Sequence, residues 1–243
     1  MLLNCDLGES YGSWTMGVDA AVMPHIDQAS IACGFHAGDP LTMRRTLALA
    51  AEHGVAIGAH PAYPDLVGFG RRSMTLSHDE IVAILHYQIA ALEGMAQSLG
   101  LVVSYVKPHG ALYHDMMARS DVRTAIHAAL ASYHRPLTLL MQATGQAAVH
   151  CAQAADAGIQ VQFEAFADRG YADDGTLVHR GEPGAVLSRE RMLAQVAQLL
   201  HDGSVTTVHG QTLPLQVDTL CVHGDNPQGV SSIAAVRALL RSG

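Results

Sequence analysis

The sequence is poor in charge and lacks the signals of several specialised protein classes. Charged residues make up 15% and hydrophobic residues 49% of its 243 residues, and the formal net charge is -8. This composition excludes a disordered chain and a coiled coil. The acidic balance argues against a nucleic-acid partner, which needs a basic patch. Because no apolar run reaches the roughly 20 residues of a membrane helix, no membrane partner is expected either.

The chain also lacks paired cysteines and a basic N-terminal stretch. Its four cysteines form no C-x-x-C pair, so we expect free thiols in a reducing compartment rather than a disulfide framework or a zinc knuckle. The N-terminus reaches an acidic residue, Asp6, with no basic region before it, so a signal peptide is not expected. Both features predict a cytoplasmic protein. The cysteines are Cys5, Cys33, Cys151 and Cys221.

Short apolar segments alternate with helical patterns along the whole chain. Their content of Val, Ile, Leu and Ala is typical of strands buried on both faces, and the alternation predicts parallel βαβ units. Ser77 before an acidic turn is a typical helix N-cap. We expect one domain over residues 1–243, with a hairpin inserted at 203–217. The predicted strands are 2–6, 29–33, 55–60, 102–107, 137–141, 161–166 and 219–223, and the predicted helices lie near 40–53, 78–99, 121–133, 145–157, 188–202 and 229–241.

Polar residues follow six of the seven predicted strands, each group beside glycine or proline. All strand carboxyl ends lie on one side of a parallel α/β fold, so these residues should converge on one cleft. An open sheet brings only the strands near its switch point to the crevice, whereas a barrel collects all of them at its mouth. We therefore predict an irregular seven-stranded (β/α) barrel. The polar residues are Asp6, Glu9, His36, His60, Arg71, Arg72, Lys107, His109, Asp168, Arg169, His223 and Asp225.

Each of these residues also has a structural interpretation. Asp6 could cap a helix, a single buried histidine such as His36 is more often a core residue, and Lys107 could be a snorkelling surface lysine. Asp39 is at least as plausible as a helix start, and Arg71-Arg72 could belong to a solvated loop. The functional interpretation is favoured because unrelated structural needs would not place polar groups at the same end of six strands.

Six sequence motifs resemble those of the LamB/YcsF family, whose members are also known as the A subunits of 5-oxoprolinase. They span residues 4–227, and six long motifs in the same order make the resemblance highly specific. The motifs are N-C-D-L-G-E-S at 4–10, I-A-C-G-F-H-A-G-D-P at 31–40, G-A-H-P-A-Y-P-D at 58–65 with G-F-G-R-R at 68–72, V-K-P-H-G-A-L-Y at 106–113, E-A-F-A-D-R-G-Y at 164–171 and V-H-G-D-N-P at 222–227.

The resemblance implies a fold, an activity and partners. The barrel is expected to be similar to the glycoside hydrolase/deacetylase superfamily. Members resemble one component of a bacterial 5-oxoprolinase, which opens 5-oxo-L-proline to L-glutamate and consumes ATP together with two further subunits that resemble parts of allophanate hydrolase. The chain has no G-x-x-x-x-G-K-[ST] phosphate-binding motif. ATP is therefore expected to be used mainly at the partner subunits, and ATP binding to this chain stays open.

Opening a lactam requires a general base or a metal-bound water, a donor for the oxyanion and a cation for the substrate carboxylate. Lys107 is expected to bind the substrate carboxylate, and donation to the oxyanion is its alternative role. The predicted catalytic residues are Asp6, His36, His60, His109, His223 and Asp225, and the predicted substrate-binding residues are Glu9, Arg71, Arg72, Lys107, Asp168 and Arg169.

Two other functions stay open. A stand-alone metal-dependent deacetylase or amidohydrolase would use Asp6, His36 and His60 as ligands of a divalent metal with an open coordination position. A non-catalytic lactam carrier would use the same cleft to bind substrate for other subunits. Metal analysis and turnover by the isolated chain distinguish these functions from a 5-oxoprolinase component.

Overall fold

Seven parallel strands form a closed barrel, as predicted. A computed structural model describes residues 1–223 and 227–242. The barrel order is β1-β2-β3-β4-β5-β6-β9, and the last strand pairs with the first. An antiparallel hairpin lies outside the barrel, within the segment 203–217. The strands are β1 (Leu2–Leu7), β2 (Gln28–Ala32), β3 (Ala56–His60), β4 (Val103–Val106), β5 (Thr138–Gln142), β6 (Gln160–Phe166), the hairpin strands β7 (Ser204–Thr206) and β8 (Thr212–Pro214), and β9 (Thr219–Cys221).

Helices connect the strands around the outside of the barrel. Ser77 and Glu80 form a capping box at the start of α3, so the predicted N-cap is confirmed. Asp39 caps α2 by accepting hydrogen bonds from two backbone N–H groups of its first turn, so its role is the structural one, a helix start. The helices are α1 (Asp19–Val22), α2 (Pro40–His53), α3 (His78–Gln97), α4 (Gly110–Ala118), α5 (Ser120–Ala131), α6 (Ala147–Asp156), α7 (Arg189–Asp202) and α8 (Pro227–Ser242), with a 3-10 turn at Met23–His25.

The barrel interior is filled by side chains, as in other small parallel barrels. Tyr105 is fully buried, and its hydroxyl lies 3.1 Å from the Ser30 hydroxyl. A Cβ at Gly58 would overlap the Tyr105 ring, so this strand position requires glycine. Tyr105 can therefore pack across the barrel only because residue 58 of β3 is glycine.

The C-terminal helix is attached to the start of the barrel by a bidentate ion pair. Arg237 of α8 donates to both oxygens of Asp27, at 2.6 and 2.7 Å, and Asp27 also accepts from the backbone N–H of Leu3. Bidentate Arg–carboxylate pairs are among the stronger polar contacts in proteins. In the part of the chain that the structure describes, no helix has both the length and the apolar character needed to cross a bilayer.

Candidate functional site

A cavity of about 580 Å³ opens at the carboxyl ends of the barrel strands. Of the predicted residues, two lie behind its wall. His36 packs against Glu9 and His109, and Asp168 is hydrogen-bonded to His223. The predicted residues that line the cavity are Asp6, Glu9, His60, Arg71, Lys107, His109, Arg169 and His223.

Lys107 lies at the bottom of this cavity between two carboxylates. Its Nζ is 2.9 Å from Asp6 Oδ1 and 2.9 Å from Glu164 Oε2. The Asn4 side-chain oxygen and the Cys221 sulfur lie at 3.3 Å. The ammonium group is buried and surrounded by acceptors from three strands. Lys107 therefore already has carboxylate partners within the protein, and its binding of the substrate carboxylate stays a prediction.

The three buried charges shift one another's ionisation. Burial would raise the pKa of Asp6, but the charges of His60, Lys107 and His223 outweigh it and hold that pKa well below its usual range. Burial would lower the pKa of Lys107, but its anionic neighbours hold it well above the ordinary value. Burial raises the pKa of Glu164 in spite of the lysine. Asp6 is therefore an ionised carboxylate beside the cavity at neutral pH, and such a group can accept a proton from water.

Three histidines and Glu9 form a second cluster next to Asp6. His60 Nε2 lies 3.0 Å from His109 Nδ1 and 3.4 Å from Asp6 Oδ2. Glu9 Oε1 lies 3.2 Å from His36 Nε2 and 3.5 Å from His109 Nδ1. Burial raises the pKa of Glu9 to about 7. Burial and the neighbouring histidines hold the pKa values of His36 and His109 well below the ordinary value, so both rings are neutral.

The loop at residues 68–70 orients this cluster. Phe69 has a φ of +54°, in the left-handed region that non-glycine residues seldom adopt. Its carbonyl oxygen accepts a hydrogen bond from His109 Nε2 at 2.9 Å. Gly70, at φ +63°, lies so close to His36 and His109 that a Cβ would approach each to 2.9 Å. The glycine in G-F-G-R-R therefore permits the histidine rings to pack where they do.

His223 and Asp168 form a separate dyad on the other side of the cavity. His223 Nδ1 lies 2.8 Å from an Asp168 oxygen, and Nε2 lies 3.2 Å from the Arg180 guanidinium. Burial would lower the pKa of His223, but the Asp168 carboxylate outweighs burial and raises it. A histidine oriented by a carboxylate can supply or take up a proton near neutral pH.

The predicted arginines differ in their contacts. Arg71 stacks over the Phe69 ring at 5.0 Å and reaches the cavity. The exposed Arg72 pairs with Asp65, so its charge is already compensated. Arg169 is buried, and it donates to the carbonyl oxygens of Val178 and Ala185. Arg71 and Arg169 therefore both line the cavity, Arg169 while it binds two loop carbonyls, whereas the charge of Arg72 is compensated.

Sequence reasoning missed two residues of the site. Glu164 belongs to one of the six motifs and to a predicted strand end, so its position carried a usable signal. Arg180 lies in the loop after β6, far from any predicted strand end, and the sequence offered no signal for it. Tyr113, the last residue of the V-K-P-H-G-A-L-Y motif, is buried beside Glu164, and its pKa lies well above the ordinary value because of burial and that carboxylate. Asp225 lies outside the described residues.

Among the residues that the structure describes, two groups of side chains have the atoms and spacing to hold a metal ion. In each group the ligand atoms lie within 4.8 Å of one another. His36 and His60, two of the three predicted ligands, belong to the first group, whereas Asp6 belongs to the second. The groups are Glu9, His36, His60 and His109, and Asp6, Cys221 and His223.

The sequence matches known proteins over its whole length. The profile of the LamB/YcsF family matches residues 1–243. A protein of Pseudomonas fluorescens (strain Pf0-1), named as the A subunit of 5-oxoprolinase, is 52% identical over 99% of this chain and 96% of its own length. A Vibrio cholerae serotype O1 protein of the same name is 52% identical over 98% of this chain and 96% of its own length.

A solved structure agrees with both the sequence match and the fold. The crystal structure of a lactam utilization protein from Thermus thermophilus is 38% identical, with a TM-score of 0.91 over 100% of this chain and 96% of that protein. The predicted resemblance is thus confirmed in sequence and in architecture, and this chain belongs to the LamB/YcsF family.

Proposed function

We propose that this chain is the A subunit of a 5-oxoprolinase, a single catalytic domain over residues 1–243 that hydrolyses the cyclic amide of 5-oxo-L-proline to give L-glutamate. The relatives with this name cover nearly the whole chain at 52% identity. The observation that carries the proposal is the ionised Asp6 carboxylate, fixed by Lys107 at the bottom of a cavity large enough for a small lactam. Lactam hydrolysis needs such a base beside the scissile amide.

The charges around the cavity favour one orientation of this substrate. Among the residues that the structure describes, Arg71 and Arg180 have no carboxylate within ion-pair distance, and both are exposed at the cavity mouth. The acidic groups Asp6 and Glu164 are deeper. A substrate carboxylate would therefore be bound by the guanidinium groups, for which Arg geometry is well suited, with the lactam ring directed towards Asp6.

Ring opening then requires two proton transfers. Asp6 accepts a proton from the water that attacks the lactam carbonyl carbon, and the bond between this carbon and the ring nitrogen breaks. The nitrogen takes up a proton as it leaves, and His223 is the candidate donor because Asp168 favours its protonated form. Arg180 can only donate, so it would have to leave His223 Nε2 and bind the substrate carboxylate before Nε2 carries this proton. Replacement of Asp6 or His60 by Ala is expected to abolish glutamate formation, as their positions in the cavity wall support. The fold is expected to stay intact, with a loss of stability in the Asp6 variant because Lys107 loses one of its two carboxylate partners.

The assembled enzyme is proposed to consume ATP at its two other subunits, which are expected to resemble allophanate hydrolase parts. Transfer of the terminal phosphoryl group of ATP to the lactam oxygen, which releases ADP, would make the ring carbon easier to attack. Addition of water and cleavage of the bond to nitrogen would then give the γ-acyl phosphate of glutamate, and hydrolysis of this acyl phosphate would release inorganic phosphate and L-glutamate. The sequence contains no P-loop motif, which supports placing ATP use at the partners. The assembly is proposed to act in the cytoplasm, in line with four cysteines that are thiols and not disulfides.

The decisive experiment is reconstitution. The two partner subunits are assayed for 5-oxoproline-dependent ATP hydrolysis and for glutamate, without this chain, with it, and with its Asp6→Asn variant. We expect glutamate only with the unchanged chain. Equal glutamate formation with and without the chain would overturn the proposal, and full turnover with Asp6→Asn would favour the lactam carrier. Hydrolysis of 5-oxoproline or of an acetamide by the chain alone would favour the stand-alone hydrolase.

A further inference from the structure

The hydrogen bonds of His60 and His109 fix which ring nitrogens carry a proton. His60 Nδ1 lies 2.7 Å from the carbonyl oxygen of Lys107, and His109 Nε2 lies 2.9 Å from that of Phe69. A carbonyl oxygen can only accept, so each of these nitrogens is a donor. The remaining nitrogens, His60 Nε2 and His109 Nδ1, do not contact these carbonyl oxygens and can act as metal ligands. These two nitrogens face each other at 3.0 Å, so a cation placed between them can be bound by both.

Two further ligand atoms converge on the same point. Glu9 Oε1 lies 3.5 Å from His109 Nδ1 and 3.2 Å from His36 Nε2. Each of the four residues offers one ligand atom within 4.8 Å of those of the other three. A tetrahedral ion with metal–nitrogen bonds of about 2.0–2.1 Å has ligand–ligand edges of about 3.3 Å. The three short distances, 3.0, 3.2 and 3.5 Å, bracket this value.

The surroundings also match a metal site. The backbone carbonyls that bind the far nitrogens of His60 and His109 are the kind of outer partner that orients metal-binding histidines. In the other candidate group the Lys107 ammonium already lies 2.9 Å from Asp6 and 3.3 Å from Cys221, so a cation is present there.

We propose that Glu9, His36, His60 and His109 bind one divalent first-row transition metal ion, of the kind for which imidazole ligands are suited, such as Zn²⁺ or Co²⁺. His36 stacks on His109 at 3.7 Å with an angle of 6° between the rings. Its ring must tilt from this stack to direct Nε2 at the ion, so His36 is the weakest of the four ligands. A bound ion would polarise a carbonyl group in the cavity. The inference rests on the geometry of the site and does not depend on the proposed function.

The test uses metal stoichiometry and Co²⁺ spectra of the purified full-length chain. The chain is stripped with a chelator, loaded with Co²⁺ in the presence of a weak competing chelator, and analysed by elemental analysis and visible absorption. We expect one equivalent and the strong d–d bands of tetrahedral Co²⁺. His60→Gln and His109→Gln should each weaken binding by more than about a hundredfold, since even loss of an outer partner costs 10–100-fold. His36→Gln should weaken it less.

Controls address adventitious binding and misfolding. The chain has 15 histidines, so His53→Gln, at the end of α2 and outside the cluster, serves as the matched variant and should bind as the unchanged chain does. Glu9→Gln, which is half-buried, provides a ligand variant with little risk to the core. Less than about a tenth of an equivalent in the unchanged chain, or Co²⁺ spectra that are indifferent to Glu9→Gln and His60→Gln, would overturn the inference. Because no substrate or partner is used, these outcomes are independent of the reconstitution assay.

Discussion

Replacing Lys107 by methionine removes the ammonium group between Asp6 and Glu164 and keeps most of the side-chain length. The Nζ atom lies 2.9 Å from an oxygen of each carboxylate. At an effective dielectric constant of about 20, each contact corresponds to about 6 kcal/mol of Coulomb attraction, most of which is offset by desolvation of the three charges. The variant leaves two buried carboxylates without their cation, and breaking a buried ion pair in this way costs about 3–5 kcal/mol.

Urea unfolding of the isolated chain measures this cost as a function of pH. Without Lys107, burial and mutual repulsion raise the pKa values of both carboxylates above those of the unfolded chain. The native variant then binds more protons than the unfolded variant, so its stability falls as pH rises. We expect the deficit of about 3–5 kcal/mol at about pH 7 to shrink as pH is lowered and Glu164, whose pKa burial already raises, takes up a proton.

A double variant separates charge balance from catalysis. Lys107→Met combined with Glu164→Gln removes one charge of each sign, and it should recover part of the lost stability through a coupling of about 0.5–3 kcal/mol. Activity in the reconstituted enzyme should stay low, since Asp6 still lacks its ammonium partner. The ion triad of Lys107, Asp6 and Glu164 would be refuted if Lys107→Met lowered the free energy of unfolding by less than about 1 kcal/mol and also raised KM with kcat unchanged. Lys107 would then be the ligand of the substrate carboxylate.

Three further predictions test the cavity mouth, the barrel interior and the attachment of α8. Arg71→Gln and Arg180→Gln should each weaken binding of 5-oxoproline and not of 2-pyrrolidinone, the same lactam without a carboxylate. Isothermal titration with both compounds measures this, and equal losses would exclude carboxylate recognition. Gly58→Ala should cost about 1–3 kcal/mol by overpacking, whereas Gly94→Ala, in open space on α3, should stabilise by up to about 1 kcal/mol. If urea unfolding showed Gly58→Ala to be at least as stable as Gly94→Ala, the packing of Tyr105 against Gly58 would be contradicted. Asp27→Asn should cost about 2 kcal/mol at about pH 7. Burial would raise the Asp27 pKa, but the hydrogen bonds from Arg237 outweigh burial and lower it. The ion pair therefore stabilises the folded chain fully above the unfolded-state pKa of about 3.9. This stabilisation is lost as pH falls through the folded-state pKa. If the difference in unfolding free energy between the unchanged chain and Asp27→Asn were the same at about pH 2, the ion pair would be excluded as its source.

The barrel was predictable from the sequence because buried parallel strands are continuous apolar runs. The fourth strand, predicted at 102–107, is observed at Val103–Val106, and the third, predicted at 55–60, at Ala56–His60. Helix α4 was not predicted. Its N-cap residue, His109, makes no side-chain capping bond, so the usual start signal is absent. The helix begins at Gly110, inside the motif at 106–113 and shortly after the end of a predicted strand.

The partners of Lys107 could not be predicted from spacing. Asp6 and Glu164 come from β1 and from β6, so each is far from the lysine in sequence, and the three meet only because the barrel closes. The sequence indicated that polar strand ends would converge on one cleft. Which of them would pair within the protein and which would face a ligand depends on side-chain direction across the barrel, and this information is not present in a one-dimensional pattern.

The adjacent residues Arg71 and Arg72 also show that sequence position does not predict which charged side chain faces the cavity. Arg71 and Arg72 are equivalent as sequence, yet Arg72 is paired with Asp65 while Arg71 stacks on Phe69 and faces the cavity. A paired guanidinium is a poor ligand for a substrate, because a new carboxylate must first displace the existing one. The cavity therefore has compensated charges at its base and uncompensated guanidinium groups, Arg71 and Arg180, at its mouth. A small anionic amide fits this gradient in one orientation, whereas a neutral or cationic amide gains nothing from the mouth.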